Sequence, residues 1–445
     1  MKLSQALEKY EPVIGIEIHA QLNTNSKAFC SDINEYGAVP NTQTSPISLG
    51  HPGTLPRFNK KVINYAVRMG LACNSSITKK MHFDRKNYFY ADLPKGYQIT
   101  QDKTPICRGG EITIKDDSGN EKNIGLTRIH MEEDSGKSIH DQDPFNSLID
   151  LNRAGVPLIE IVTEPELKSS TEAYNYVSEI RKLLRYLEIC DGNMEEGSMR
   201  CDVNISIMPI GSTTFGQRVE IKNLNSIRNV QRSIDYEICR HAATLENGQK
   251  IAQQTRNFDA ASGKTIGMRS KESAHDYRYF PEPDLTALVL TDEYIEKVKV
   301  SLPPLPNELY KKYHFELGLS EYDSANLTES KEIALYFEKM ISITKNYKAA
   351  ANWVMGSIKS YLNQTATSIN EFPICPEHMV TLIEMIDSGS ISNSLASQQL
   401  FPQMLKTPTD SPEKIAEKKG WLSKNDKDEL ENIILIIFKE NPEET

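Results

Sequence analysis

The feature that most constrains the fold is a strict alternation of apolar and polar residues in several short segments. In residues 13–22, isoleucine or leucine at 14, 16, 18 and 22 alternates with the polar residues Glu17, His19 and Gln21. Successive side chains of a β-strand point to opposite faces, so this period of two predicts a strand with one buried and one polar face. Similar patterns recur at 158–162, 199–207 and 218–222. We therefore predict that the N-terminal part of the chain is rich in strands.

Two proline-containing linkers divide the rest of the chain. The run LPPLP at 302–306 is incompatible with a regular helix or a central strand. After it, apolar residues recur at helical spacing, for example in 347–362. A second linker at 406–412 precedes a short segment with an apolar stripe at 430–438. We predict an α+β fold with a strand-rich domain at 1–293, an all-helical domain at 294–405 and a helical tail at 406–445.

Composition and charge limit the functional class. The 445-residue chain has no run of about 20 apolar residues that could span a bilayer. It also begins without a secretory signal, so we expect a cytoplasmic protein with no membrane partner. Its seven cysteines are scattered and never spaced as Cys-x-x-Cys, which is typical of reduced thiols. The net charge of −10 argues against general nucleic-acid binding, although local patches can still grip one folded RNA.

Carboxylates and an imidazole on the predicted strands indicate a site for a hard divalent cation. Glu17 and His19 share the polar face of the first strand, and Asp202 lies on the polar face of 199–207. Glu160 interrupts an apolar run, where a buried carboxylate is costly unless it has a partner or a cation. Mg²⁺ and Mn²⁺ favour such oxygen-rich sites, whereas zinc prefers thiolates or several histidines.

Two other interpretations of these residues remain open from the sequence. The first strand is compatible with a solvated sheet face. Glu160 is compatible with a buried ion-pair network that includes Arg128, Arg153 or Arg200. The chain has neither a P-loop nor a GxGxxG fingerprint, so a bound nucleotide must be held in another way.

The segment 83–99 combines arginine and lysine with five aromatic residues. Basic and aromatic side chains together can stack the bases of an RNA. The same composition is normal on a half-buried surface, where lysine stems cover apolar groups. A third possibility is a polar interior passage lined by Lys86, Lys95 and acidic partners. Composition alone does not separate the three.

These stretches together resemble the GatB family, the B subunits of tRNA-dependent amidotransferases. The matching runs follow the family's order over almost the whole chain, at 13–19, 83–90, 128–138, 150–153, 157–164, 194–204, 220–226, 276–284 and 352–353. The resemblance implies a complex with two partner proteins, an amidase-like glutaminase and a small third protein. It also implies a misacylated substrate, Glu-tRNA(Gln) or Asp-tRNA(Asn). Its side-chain carboxylate would be phosphorylated with ATP and Mg²⁺ and then amidated with ammonia from the glutaminase.

The resemblance further implies roles for individual residues. The residues that match the family's catalytic cleft are Glu17, His19, Glu133, Glu160 and Asp202, of which His19, Glu133 and Glu160 are expected to hold Mg²⁺. The residues that match the inner end of an ammonia passage are Lys86, Lys95 and Glu133. The alternative function is a non-catalytic tRNA-binding or assembly module of the same complex, which would be free to lose the residues of the cleft.

The chain departs from the family pattern in two places. Some members bind zinc through paired cysteines in the region 29–49. Here only Cys30 remains, with Asp32, Ser45 and Ser48 at the other positions, so we expect no zinc. The family also ends with a Gly/Lys-rich helix that lies beyond the end of this sequence. We therefore expect the tail, which is similar to a YqeY domain, to be incomplete.

Overall fold

The alternating segment at 13–22 forms most of strand β1 (Tyr10–Gln21), which lies inside a large sheet in the computed structural model. The structure describes residues 1–140, 142–268 and 277–423. Ile14, Ile16 and Ile18 are buried in the core, while Glu17 and His19 on the other face are only partly buried. The prediction of a strand with one buried and one polar face is confirmed here.

The strands form one large mixed sheet and several small ones. In chain order they are β1 (Tyr10–Gln21), β2 (Ser76–Ile77), β3 (Lys80–Met81), β4 (Asp84–Asn87), β5 (Tyr97–Thr100), β6 (Cys107–Arg108), β7 (Glu111–Lys115), β8 (Glu121–Glu133), β9 (Lys137–Ile139), β10 (Leu148–Asp150), β11 (Pro157–Thr163), β12 (Met199–Pro209), β13 (Val219–Lys222), β14 (Gln254–Asp259), β15 (Lys264–Gly267), β16 (Phe280–Pro281) and β17 (Leu288–Val289). The large sheet has the order β15-β14-β13-β12-β1-β11-β8-β6-β2, and β7 pairs with β8. Because β1 is antiparallel to both β11 and β12, the polar faces of three predicted strands adjoin one another.

Helices pack on the apolar side of this sheet and share its core. They are α1 (Leu3–Leu7), α2 (Lys60–Ala72), α3 (Ser170–Tyr186), α4 (Ile227–Glu246) and α5 (Asp292–Val300). The Ser169 hydroxyl accepts a hydrogen bond of 3.0 Å from the backbone N–H of Glu172 and caps α3. Ala173, Val177 and Ile180 then lie at helical spacing on its buried side.

The second part of the chain is helical, as its apolar spacing predicts. The helices are α6 (Pro306–Lys311), α7 (Glu321–Leu327), α8 (Lys331–Ile341), α9 (Tyr347–Trp353), α10 (Lys359–Thr365), α11 (Pro376–Asp387), α12 (Asn393–Leu395), α13 (Phe401–Lys406) and α14 (Pro412–Lys419). A π-helical segment, Val354–Ile358, joins α9 to α10, and Gly389 at φ +73° follows the end of α11. In the three described ranges no helix combines the length and the apolar character needed to cross a membrane.

The chain divides into two compact units, residues 1–305 and 306–445. The first unit extends beyond the predicted boundary at 293, because α5 packs against α2 and its Val298 joins the core of that unit. The division instead falls within the predicted linker at 302–306. The second predicted boundary, between 405 and 406, does not separate compact units, because α14 packs against α11 and α13. The apolar stripe predicted at 430–438 lies outside the described residues.

Candidate active site

Four polar residues form a row across neighbouring strands of the large sheet. His19 on β1 is paired directly with Glu160 on β11 and with Arg200 on β12. Glu160 is in turn paired with His130 on β8. Directly opposed residues of antiparallel strands project to the same face. The register therefore brings His19 together with side chains that are more than one hundred positions away in the sequence.

Two histidines and two glutamates make up a compact cluster at this row. His19 Nε2 lies 3.3 Å from Glu160 Oε2 and 3.6 Å from Glu132 Oε1. His130 Nε2 lies 3.2 Å from Glu160 Oε2 and 3.6 Å from Glu132 Oε2. One possible ligand atom from each of His19, Glu132 and Glu160 lies within 4.8 Å of the others. We refer to His19, His130, Glu132 and Glu160 as the histidine–glutamate cluster.

Burial and mutual attraction set the charges in the histidine–glutamate cluster. Burial favours a neutral Glu160, but His130 and His19 outweigh it and hold the pKa of this carboxyl well below its usual value. Burial also disfavours a charged His130, yet Glu160 and Glu132 raise its pKa to about 9. The pKa of His19 is raised for the same reason. The two imidazoles thus supply the positive charge that buried carboxylates require.

The structure corrects the predicted position of Glu133. Adjacent residues of a strand point to opposite faces, so Glu132 faces His19 and Glu160 while Glu133 faces away from them. Glu133 forms an ion pair with Lys95 and accepts a hydrogen bond of 2.9 Å from the backbone N–H of Ile99. Of the predicted metal set, His19 and Glu160 lie together, and Glu132 is the carboxylate that lies with them in place of Glu133; the binding of a metal there stays a prediction.

Lys95 and Glu133 line a small cavity of about 70 Å³ on that other side, together with Phe29, Tyr97 and Gly155. Lys86, which was predicted to share a passage with them, has its Nζ 4.8 Å from the centre of the Tyr277 ring. The structure brings Lys95 and Glu133 into contact and places Lys86 beside an aromatic ring. The ammonia passage itself stays a prediction.

A second acidic group lies further along the polar face. Glu17, Asp202 and Glu220 each offer a carboxylate oxygen within 4.8 Å of the others. Lys222 Nζ lies between two of them, 2.6 Å from Asp202 and 2.9 Å from Glu220. Burial, followed by the charges of Glu160 and Asp202, raises the pKa of Glu17. Unlike the histidine–glutamate cluster, this group contains a fixed cation.

The ion-pair network considered as an alternative occurs at Asp134. Arg200 Nη2 lies 3.0 Å from Asp134 Oδ1, and Arg153 Nε lies 3.6 Å from Asp134 Oδ2. The amide of Gln21 donates a hydrogen bond of 2.9 Å to the same carboxylate. In the described ranges the ion pairs of Glu160 are with histidines. The arginines therefore neutralise Asp134, which lies next to the cluster, whereas the imidazoles neutralise Glu160.

The positions that match zinc ligands in some family members are joined by hydrogen bonds in this chain. The Ser48 hydroxyl donates a hydrogen bond of 2.6 Å to Asp32 and accepts one of 3.0 Å from the backbone N–H of Ser45. Burial raises the pKa of Cys30 to about 11, which keeps this thiol protonated at neutral pH. The absence of zinc stays a prediction from the sequence.

Sequence reasoning assigned no role to several residues that the fold brings into these groups, namely His130, Glu132, Glu220 and Lys222. The sequence signal that could have found Glu132 is the alternation of side chains along a strand. If residue 130 faces the cleft, residue 132 faces it too and residue 133 faces the other side. Applying this rule required the register between β8 and β11, which pairs Glu160 with His130. A single strand does not reveal that register.

Comparison with known proteins supports the resemblance over both parts of the chain. Residues 12–296 match the family model of the GatB/GatE catalytic domain, and residues 335–445 match that of the GatB domain. The B subunit of the aspartyl/glutamyl-tRNA(Asn/Gln) amidotransferase of Geobacter sulfurreducens is 48% identical over 435 residues, covering 97% of this chain and 90% of that protein. The protein of that name from Thermodesulfovibrio yellowstonii is 47% identical over 436 residues, covering 98% and 91%. This chain belongs to the GatB family.

Proposed function

We propose that this chain is the catalytic B subunit of a tRNA-dependent amidotransferase. It phosphorylates the side-chain carboxylate of Glu-tRNA(Gln) or Asp-tRNA(Asn) with ATP. Ammonia from a partner glutaminase then displaces the phosphate to give Gln-tRNA(Gln) or Asn-tRNA(Asn). The observation that carries the proposal is the histidine–glutamate cluster, in a chain 48% identical to proteins named for this activity. We expect the enzyme to work in the cytoplasm, where charged tRNA is used.

Two displacements account for the atoms in this reaction. A carboxylate oxygen of the substrate attacks the γ-phosphorus of ATP, and ADP leaves. The nitrogen lone pair of ammonia then attacks the acyl carbon, the C–O bond to phosphate breaks, and one proton of the nitrogen is lost. Activation is necessary because oxide is a very poor leaving group from a carboxylate, whereas phosphate is a good one. Little covalent chemistry is left to the protein, which mainly positions charges.

The donor atoms of the cluster fit a hard divalent cation such as Mg²⁺. His19, Glu132 and Glu160 offer one imidazole nitrogen and carboxylate oxygens, which is a set that Mg²⁺ or Mn²⁺ accepts. A cation bound there would stabilise the negative charge on the transferring phosphoryl group. His130 has a buried Nδ1 without a hydrogen-bond partner, and through Nε2 it helps to hold Glu132 and Glu160 in place.

A cavity of about 250 Å³ next to Glu17 is the place we assign to the nucleoside of ATP. Gly15, Pro165, Phe215 and Arg218 help to line it. Along the polar face of β1 the order is then Gly15 at the cavity, Glu17 at the second acidic group and His19 at the cluster. If the assignment is right, Phe215→Leu raises KM for ATP and leaves KM for charged tRNA unchanged. An unchanged KM for ATP contradicts it.

The ion pair of Lys95 with Glu133 supports an ammonia route from an amidase-like glutaminase toward the cluster. The pair lines a small cavity on one side of β8, and Glu132, the next residue, lies on the other side. Lys86 belongs to the neighbouring strand β4. In this proposal a small third protein completes the complex. No observation favours the non-catalytic alternative, because a scaffold would have no need of two histidines and two glutamates packed together at a cost in desolvation.

The decisive experiment is ATP-dependent amidation of both charged tRNAs, with the partner proteins present and then omitted. The proposal expects amide formation on Glu-tRNA(Gln) or Asp-tRNA(Asn) that requires ATP and Mg²⁺. With free ammonium as nitrogen source, the requirement for glutaminase activity should disappear. If the assembled complex binds charged tRNA but never cleaves ATP, the chain is the non-catalytic module.

A further inference from the structure

Four tyrosines form a row beside the histidine–glutamate cluster. The ring centres of Tyr90 and Tyr88 are 5.8 Å apart, those of Tyr88 and Tyr277 6.1 Å, and those of Tyr277 and Tyr279 5.9 Å. All three contacts are edge-to-face, with interplanar angles between 67° and 73°. Edge-to-face contact is one of the favoured geometries for a pair of aromatic rings. We refer to Tyr88, Tyr90, Tyr277 and Tyr279 as the tyrosine row.

The backbone holds the two halves of the tyrosine row together. Tyr88 and Tyr90 follow β4, Tyr277 and Tyr279 precede β16, and these two strands pair antiparallel. The backbone N–H of Asn87 donates a hydrogen bond of 3.0 Å to the Tyr277 carbonyl. The Asn87 side chain donates one of 2.8 Å to the Arg278 carbonyl. The row is therefore built by strand pairing and does not depend on the chance position of one loop.

The tyrosine row adjoins the histidine–glutamate cluster through β5. Strand β5 pairs with β4, with Gln98 opposite Lys86, and the Gln98 amide donates a hydrogen bond of 2.6 Å to the carbonyl of Glu133, the residue after Glu132 of the cluster. Burial, followed by the Glu132 carboxylate, raises the pKa of Tyr88, which agrees with their proximity. The cavity next to Glu17 is reached along β1, from His19 toward Gly15, whereas the row is reached across β8 and β5. The row and the cavity therefore lie in different directions from the cluster.

The tyrosine row also has the exposure and the charges of a surface that binds unpaired bases. Tyr90 is 51% exposed and Tyr279 39% exposed. Lys86 Nζ lies 4.8 Å from the centre of the Tyr277 ring and 5.8 Å from that of Tyr88. Cations interleaved with aromatic faces are the usual means of binding single-stranded nucleic acid, since every base has a face that can stack. Lys86 is the cation that lies over rings of the row, whereas the nearby Arg85 and Lys95 are paired with Glu282 and Glu133.

We propose that the tyrosine row stacks the unpaired 3′-terminal bases of the charged tRNA. The proposal rests on the proposed function, because the amino acid to be amidated is esterified to the terminal nucleotide. That nucleotide must therefore lie within a few bonds of the histidine–glutamate cluster, wherever the double-stranded part of the tRNA docks. An aromatic surface bordering the cluster supplies the required contact. It reads unpaired bases by stacking and leaves the phosphates to other parts of the complex.

The test is a thermodynamic cycle between protein and RNA in the assembled complex. Tyr90→Leu and Tyr279→Leu are each combined with intact tRNA and with tRNA shortened by its unpaired 3′-terminal nucleotides. We expect each variant to weaken binding of intact tRNA by about 5- to 150-fold, the range for loss of one base stack. The loss should be much smaller with the shortened tRNA. The dependence of Kd on salt should stay unchanged, because no phosphate contact is lost. Tyr→Phe variants should bind like wild type.

Tyr36→Leu is the matched control, since Tyr36 is 73% exposed in the same unit and lies outside the row. It should change neither Kd. Equal losses with intact and shortened tRNA would overturn the proposal, and so would a change in the salt dependence. Failure of the variants to assemble with the glutaminase would overturn it too, because the row would then be a protein interface. Absence of amidation by the wild-type complex would instead disprove the proposed function, whatever the binding cycle shows.

Discussion

Two carboxylates of the first unit, the largely buried Glu160 and the fully buried Glu237, have different kinds of cationic partner. Glu237 on α4 is fully buried and accepts hydrogen bonds of 2.8 and 2.6 Å from the guanidinium of Arg240. Arg256 Nε lies 3.3 Å away. Burial would raise the pKa of Glu237, but hydrogen bonds from His241, Arg240 and Thr265 hold it at about 2. Glu160 is also surrounded by partners, but the cations among them are two histidines.

The difference between these partners separates a structural site from a functional one. Arginine is always charged in proteins, so the charge of Glu237 is neutralised under all conditions in which the protein folds. Histidine can lose its proton, and a cation bound beside Glu132 and Glu160 would favour that loss, whereas the carboxylates alone raise the pKa of His130 to about 9. The histidine–glutamate cluster can therefore exchange imidazolium charge for a bound cation without a change of fold. Burial alone marks both carboxylates, and only the chemistry of the partner distinguishes them.

The largest functional difference between the two carboxylates is expected for Glu160→Gln. Loss of this carboxylate should lower tRNA-dependent ATP cleavage by about 100- to 1,000-fold, the range for loss of one charge-stabilising group. Circular dichroism and the unfolding midpoint should show a folded protein. The matched variant Glu237→Gln should keep its activity per folded molecule. Near-normal ATP cleavage by Glu160→Gln at saturating Mg²⁺ would make Glu160 a structural residue like Glu237.

A smaller but sharper contrast is expected between the neighbours Glu132 and Glu133. Because they face opposite sides of β8, their loss should affect different steps. Glu132→Gln should reduce amidation to the same extent with glutamine and with free ammonium, by about 100-fold. Glu133→Gln should reduce the glutamine-driven reaction more than the ammonium-driven one. If the two variants behave alike, the separation of the two faces does not extend to function.

A third effect concerns Lys95, whose amine pairs with Glu133 at the small cavity. Lys95→Met should lower the rate of glutamine-driven amidation by about tenfold, which corresponds to about 1.4 kcal/mol in the barrier. The rate with free ammonium should stay close to that of wild type, because the phosphorylation site is intact. Lys86→Met tests the other predicted passage residue in the same assay. Equal losses with both nitrogen sources would show that these lysines do not line a passage.

Much of this fold could be predicted from local patterns. Alternation located β1, β11 and β12 and the polar faces on which Glu17, His19 and Asp202 lie. Helical spacing located the helical second unit, since a buried stripe at period 3.6 is a strong signal. What these patterns share is that each is visible within one segment of the chain.

The rest depended on contacts between distant segments. The run HMEED at 130–134 offers several polar groups in succession, so its sequence does not reveal which of Glu132 and Glu133 faces the cleft. The register between β8 and β11 decides it, and strand register is a property of the assembled sheet. The first domain boundary was displaced for a similar reason. The packing of α5 on α2 joins residues more than two hundred positions apart.

Glu237→Gln is expected to have the smallest effect on activity and the clearest effect on stability. The pKa of Glu237 is about 2 in the folded protein, below its ordinary value of 4.5. A group with a depressed pKa contributes stability above its unfolded pKa and loses that contribution as the pH falls toward the folded value. Removing it leaves the half-buried Arg240 and Arg256 without their fully buried counter-charge, at a cost of about 3 kcal/mol near neutral pH. We therefore expect the difference in unfolding free energy between wild type and variant to be largest at pH 7 and to shrink between pH 4.5 and pH 2.

Urea unfolding at several pH values measures this difference directly. Glu296→Gln, at an exposed position of α5, is the control and should change the unfolding free energy little at any pH. A difference that stays constant down to pH 2 would mean that the carboxylate charge of Glu237 does not stabilise the fold. The contrast with Glu160 would then lose its basis, because a buried carboxylate that contributes no charge stabilisation cannot define the structural case. If the difference shrinks as expected while activity per folded molecule is kept, the two carboxylates differ in function because of the cations that they face.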